Sequence, residues 1–239
     1  MNPFASPVAS RPGALESLLR AFYLADSALP VGGYAYSHGL ETLVHQAAVA
    51  SPDDVGQLLA LYIRQPLERQ QFPALLAALR APDHAALPRI DVRLDASISP
   101  APEREAGRAL GRRLVQLGPI LTPGFESTAY ARSVAADEAP GQHAVAMGVL
   151  ARQLAVPPPV ALAAFGHAAI VTLTGAAIRL GVIGPAAAAG LIASAGPDLE
   201  AAIHRALDVP PPRRFGAFSP TLEIASARHP TLPFRMFAA

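Results

Sequence analysis

Ser37, His38 and Glu41 lie within five residues of one another in the stretch Leu29-Pro-Val-Gly-Gly-Tyr-Ala-Tyr-Ser-His-Gly-Leu-Glu41. These are the residue types from which a nucleophile, its base and an orienting acid are made. Their spacing argues against that use. Adjacent residues on a helix project about 100° apart, so His38 is poorly placed to take a proton from Ser37. The Gly-x-Ser-x-Gly elbow is also absent, because Ala35 stands where its first glycine would be. A soluble hydrolase using Ser37, His38 and Glu41 is therefore the minor reading. Gly32-Gly33, with no Gly-Lys-Ser/Thr after it, is no phosphate loop. A turn accounts for most of the stretch: Leu29-Pro30 ends one helix, the glycines supply unusual backbone angles, and Ser37 caps the next helix. Tyr34 and Tyr36 are left over, and rigid aromatics beside a turn are interface material.

The other chemistry-bearing residues exclude more than they offer. His38, His45, His84, His143, His167, His204 and His229 form no His-x-His, no His-x-x-x-His and no zincin pair, so no self-contained metal site and no cofactor is expected. Cysteine is absent, which removes disulfides, thiolate ligands and cysteine nucleophiles together. All 19 basic residues are arginine, so there is no Walker lysine, no Schiff base and no Ser-Lys dyad. A formal net charge of +1 gives no field for nucleic acid or an anionic membrane. Residues 1–12 lack a basic stretch leading into an apolar core, so the expectation is a cytoplasmic protein with a flexible N-terminus.

The elements that would position these residues read as helices almost throughout. Leu15, Leu18, Leu19 and Phe22 follow helical spacing, as do Val55, Leu58, Leu59 and Tyr62, and then Phe72, Leu75, Leu76 and Leu79. Each set predicts one buried stripe. Ser51-Pro52-Asp53-Asp54 supplies a cap, a first-turn proline and two acids for a helix start. Ser99-Pro100 does the same for a helix through Arg104 and Leu114. Further helices are predicted near 142–154, 160–180, 185–194 and 198–207, with Pro82, Pro140, Pro185 and Pro197 at boundaries. Arg89 to Ile98 alternates like a strand, yet Leu87, Ile90, Leu94 and Ile98 also share one helix face. It reads as helix, because no partner strand is in view.

Val160 to Ile178 carries no formal charge and is long enough to span a membrane. Its Gly166, His167, Thr172, Thr174 and Gly175, its many alanines and the flanking Pro157-Pro158-Pro159 and Arg179 favour a buried helix packed through small residues, with a membrane span at 160–178 as the rival. With 51% hydrophobic and 15% charged residues over 239, the chain suits one all-α helical bundle. Its expected organisation is a domain at 13–209 followed by a Pro-rich linker and docking tail at 210–239. The tail, with Phe215, Phe218, Phe234 and Phe237, reads as extended.

The opening stretch resembles the N-terminal pattern of the UreF family of urease accessory proteins, roughly Leu-Pro-x-Gly-x-aromatic-x-x-Ser-x-Gly-Leu-Glu. The likeness continues along nearly the whole chain. Arg104 to Leu114 resembles the family's arginine-rich helix with a central glycine, His143 to Leu150 its His-x-x-x-x-Gly segment, and Ala176-Ala-Ile-Arg-Leu-Gly181 its Ala-x-Arg-Leu helix. Pro220-Thr-Leu-Glu-Ile-Ala-Ser226, then His229 and Arg235-Met-Phe237, resembles the family ending. It departs at Pro102, Pro185 and Pro230, where the family usually carries an acid, a glutamine and a glutamate. The resemblance implies an all-helical, non-enzymatic homodimer. It also implies binding to the UreD-like protein (UreH in some systems) and the UreG-like GTPase, and a part in loading nickel into apo-urease. It points to Pro30, Gly32, Tyr34, Tyr36, Ser37, Gly39, Glu41, Arg179, His229, Arg235 and Phe237 as partner-binding residues. Tyr34 and Arg235 are expected to share one recruiting surface, and Arg179 to pair with an acid on a neighbouring helix.

Overall fold

The computed structural model describes residues 13–83, 85–125, 128–208 and 215–239. His84, the N-terminal segment 1–12 and the linker from Pro210 to Arg214 lie outside the described residues. The helices are α1 (Ala14–Ala25), α2 (Leu40–His45), α3 (Pro52–Tyr62), α4 (Phe72–Leu79), α5 (Ala86–Ser97), α6 (Ala101–Leu121), α7 (Ala129–Ala135), α8 (His143–Gln153), α9 (Pro158–Arg179), α10 (Pro185–Ser194), α11 (Gly196–Asp208) and α12 (Pro220–Arg228). Among the described residues there is no strand, and the fold is all-α. The alternating stretch at 89–98 lies largely in α5, which buries Leu87, Ile90 and Leu94 and leaves Val92 out.

Local chemistry explains the boundaries. Ser51 caps α3: its hydroxyl accepts from Asp54 N while the Asp54 carboxylate accepts from Ser51 N, satisfying donors a helix start leaves bare. Pro52, Pro158, Pro185 and Pro220 each sit in a first helical turn, where the missing N–H costs nothing. Between α3 and α4 the chain stays helical but widens into a π-type segment, Ile63–Gln71, around Pro66. Pro66 lacks an N–H and crowds the preceding turn, and a looser helix relieves both.

The core runs through α4, α6, α8 and α9. α6 lies close to the start of α8 because Gly111 has no side chain: a Cβ there would come within 2.1 Å of the Gly141 carbonyl oxygen. α9 is the one helix among the described residues that is long and apolar enough to cross a membrane. It is a core helix here, packed against α1, α4, α10 and α11 with Leu162, Phe165, Ile170 and Leu173 buried.

Two expectations change. The stripe predicted to be buried on α1 faces outward: Leu15 is 70% exposed, Leu19 58% and Phe22 61%, while Ser17, Ala21 and Leu24 face the body. Spacing identifies a face but not which face finds a neighbour, and α9 takes the small-residue side. The tail is extended only in part. Residues 220–228 form α12 and His229–Thr231 a short 3-10 turn, while 215–219 and 232–239 have no helix.

Candidate partner-binding site

The opening stretch turns twice before α2. Gly32, with φ of +88°, starts a 3-10 turn at Gly33–Ala35 that holds Tyr34 out in solvent, 72% exposed. His38 and Gly39 then both take the left-handed region, with φ of +53° and +84°. A histidine there is strained and must be held by its neighbours. Gly39 is required twice over, since a Cβ would also press on the Leu222 carbonyl oxygen at 3.1 Å and the Ser226 nitrogen at 3.2 Å. The N-cap of α2 is therefore Gly39, not Ser37. The serine hydroxyl is used elsewhere: it donates to the Ala239 oxygen at 3.1 Å and accepts only a long bond from Glu41 N at 3.4 Å.

Glu41 is fully inside the protein, and so is His229. Their side chains meet, with His229 Nε2 2.6 Å from Glu41 Oε2, and Glu41 also accepts from Met236 N at 2.6 Å and Phe237 N at 3.3 Å. A carboxylate taking two backbone N–H groups leaves His229 Nε2 as the third donor. Burying such a group is tolerable only with partners of this quality. Ser37 N donates to the Ala239 oxygen at 2.6 Å, and Ala238 N to the Ala35 oxygen at 2.8 Å. Residues 35–41 and the segment 229–239 are thus laced together.

A second acid–imidazole pair lies beside the first. His38 Nδ1 is 2.8 Å from Glu103 Oε2 on α6, and Ser226 of α12 donates to the other Glu103 oxygen at 3.3 Å. Burial works against the charged form of both partners, but they offset this for each other: the Glu103 charge and hydrogen bond raise His38, and the His38 charge and hydrogen bond lower Glu103. Each thus favours the charged form of the other. Tyr62 packs on the His38 ring, and burial, then the Glu103 charge, pushes its hydroxyl far above the ordinary range. A cavity of about 480 Å³ opens beside this pair, with His143, Met147 and Phe165 on one side and Leu222 and Glu223 of α12 on another. Burial and then the His38 charge bring His143 down to about 4, so at neutral pH it is an uncharged imidazole.

The structure brings Gly39, Ser37, Glu41, His229 and Phe237 into one buried cluster, with Tyr34 and Arg235 exposed close by in sequence, Arg179 exposed against the Phe237 ring and Tyr36 half-buried; Pro30 is exposed and Gly32 half-exposed. Arg179 makes no ion pair among the described residues. Its Nε donates to Gly175 of its own helix, and its guanidinium lies over the Phe237 ring at 4.3 Å. An aromatic face satisfies an exposed guanidinium without a buried acid, which is why the expected partner is not there. Glu103 and Ser226 were not singled out from the sequence. Ser37, His38 and Glu41 each face a different partner, so they assemble no nucleophile and base. Among the described residues no three His, Asp or Glu side chains converge as metal ligands.

The body is all-α, and its buried polar cluster joins the turn before α2 to the segment after α12. The UreF family model matches residues 49–196. The chain is 36% identical to the urease accessory protein UreF of Arthrobacter sp. (strain FB24) over 214 residues, 90% of this chain and 93% of that protein. It is 35% identical to that of Paenarthrobacter aurescens (strain TC1), over 90% of this chain and 94% of the relative. It is 32% identical to that of Azoarcus sp. (strain BH72), over 94% and 97%. The chain belongs to the UreF family of urease accessory proteins, a family of helpers rather than enzymes.

Proposed function

We propose that this protein is a scaffold of urease maturation that couples a UreD-like protein and a UreG-like GTPase to apo-urease while nickel is inserted, acting as a cytoplasmic homodimer. Its mechanism is a coupling free energy between interfaces: binding one partner orders a surface that the next one needs. Nickel is cargo in this scheme, handled by the assembly.

The observation that carries the reading is the lacing of two family-like motifs that lie 188 residues apart at Glu41 and His229. This lacing keeps Tyr34 and Arg235 exposed on tethered segments. Glu41, His229, Ser37 and Phe237 act from inside, by holding that surface in place, and Arg179 by seating Phe237. The exposed apolar face of α1 supplies a second surface, too apolar to serve only as a solvated helix face.

Co-purification with the UreD-like protein, the UreG-like GTPase and apo-urease from the same source tests the reading. The full chain should hold all three. Tyr34→Ala, or deletion of 230–239, should leave a folded helical protein that no longer retains the GTPase in the presence of the UreD-like protein. Retention at the unmodified level by both variants would place the recruiting surface elsewhere.

A further inference from the structure

The cavity of about 480 Å³ is reached from solvent as the protein stands, since Tyr34 and Arg179, both exposed, are part of its wall. Helices α1, α6, α8, α9 and α12 and the π-type segment all contribute to it. Its apolar lining, Leu24, Leu110, Leu114, Met147, Phe165 and Leu222, belongs to the buried core, so the walls are fixed before anything enters. Two polar side chains on that wall have nothing to bond. His143 packs against Phe165 and Tyr62 against His38, but neither the His143 ring nitrogens nor the Tyr62 hydroxyl takes a hydrogen bond among the described residues. Both stand beside His38, the Tyr62 ring 5.5 Å from it and His143 close enough to feel its charge. Burial keeps the His143 imidazole uncharged at neutral pH and the Tyr62 phenol protonated, so each can donate or accept. The charged groups on the wall are of both signs and already engaged: His38 with Glu103, Asp26 with Ala28 N, Glu223 with Ser219 N, and Arg179 over the Phe237 ring. An ion entering here would give up water for no free counter-charge.

We infer that this cavity is a binding site for a small uncharged molecule with an apolar ring or short chain and one hydroxyl or carbonyl group. The apolar part packs on Leu114, Met147 and Phe165, and the polar group bonds to His143 or Tyr62. Preformed, mostly apolar pockets of a few hundred Å³ with a few convergent polar groups are the usual shape of a small-molecule site. A partner's helix, about 10–12 Å across, would fill this one within roughly a single turn. The scaffold reading makes no use of the site and stands or falls separately.

The probes are naphthol, naphthalene, naphthoate and naphthylmethylamine, which share a ring system and differ in carrying a hydroxyl, no head group, an anion or a cation. Equilibrium dialysis against the full chain at neutral pH reads their binding. Naphthol should bind saturably with a Kd of about 10–100 μM. Naphthalene should bind about tenfold more weakly for want of the hydrogen bond, and the two ions weaker by about tenfold or more. The double variant His143→Phe with Tyr62→Phe keeps both rings and should bring naphthol to the level of naphthalene, whose own binding should change by less than about twofold. Gly175→Phe should abolish binding of all four by filling the cavity, because Gly175 lines it and an added Cβ there meets nothing within 4 Å; circular dichroism confirms that each variant keeps its helices. Absence of saturable naphthol binding, or binding of either ion as tight as that of naphthol, would overturn the inference. So would naphthol binding unchanged by both Gly175→Phe and the double variant. Naphthol binding lost at concentrations where the chain self-associates would also overturn it, since a second copy would then occupy the cavity.

Discussion

Two buried carboxylates, Asp91 and Glu41, use the same chemistry for opposite ends. Asp91, on α5, accepts from the Tyr130 hydroxyl of α7 at 3.1 Å and from the Gly141 and Gln142 nitrogens just before α8 at 2.7 and 2.8 Å. Next to it Asp95 binds Arg108 through two bonds of 2.6 Å and takes the Gln142 side chain at 2.8 Å. Every partner is part of the packed body, so opening the Asp91 site means opening the core. Glu41 has three donors too, but all come from one segment, residues 229–237. A buried acid therefore joins core elements in one place and holds a C-terminal segment to α2 in the other, a segment also fixed by Ser226 to Glu103 and by Ala238 N to the Ala35 oxygen.

Breaking the joint should have the largest effect. Asp91→Ala would leave a tyrosine hydroxyl and two backbone N–H groups bare in the core, and a loss of about 3–5 kcal/mol in urea unfolding is expected. A loss below about 1 kcal/mol would mean that water or rearrangement replaces the acid. Breaking the Glu41 joint should cost less in global stability, about 1–2 kcal/mol for Glu41→Gln, because glutamine keeps one acceptor oxygen and the other bonds of the C-terminal segment remain.

Acid probes the Asp91 side of the contrast, because burial shifts Asp91 and the nearby His143 in opposite ways. His143, at about 4 in the folded chain against an ordinary 6.5, contributes stability that is full above pH 6.5 and lost as pH falls towards 4. Asp91 is held up to about 6 from 3.8, chiefly by burial and despite its hydrogen bonds. Its penalty is full above pH 6 and relieved as pH falls through the same window. These two contributions oppose each other, so removing one should expose the other. His143→Phe should gain stability relative to the unmodified chain between pH 6.5 and 4, by about 1–3 kcal/mol, the ring's opening onto the cavity reducing the full shift. Urea midpoints at both pH values check this, and equal differences at the two would contradict it. The smallest effect is expected on the exposed α1 face. Leu19→Glu should change stability by less than about 0.5 kcal/mol, while weakening self-association or partner capture in size-exclusion chromatography.

The helical body was legible because its boundaries rest on local chemistry: Ser51-Pro52, the prolines at 158 and 185, and one apolar face per helix. α12 was legible in principle. Ser219-Pro220 with Glu223 four residues after the serine is a helix start, and Ser219 N does donate to the Glu223 carboxylate at 3.0 Å. Asp91 and Asp95 also left a signal, as acids four residues apart on the face that carries Leu87 and Leu94. The pairing of Glu41 with His229 left none beyond the family likeness, because contact across 188 residues is decided by how the helices pack and not by any local pattern. The outward turn of α1 was hidden for the same reason.

The central claim is that this chain couples the maturation proteins to apo-urease, and it is tested most directly by urease activity recovered in a purified mixture. That mixture holds apo-urease, the UreD-like and UreG-like proteins, nickel and GTP, with the full chain, with the chain lacking residues 230–239, or with neither. Strong activation by the full chain, and near-background activity in the other two, is the result predicted. Equal activation without the chain, or with the shortened one, would contradict the account.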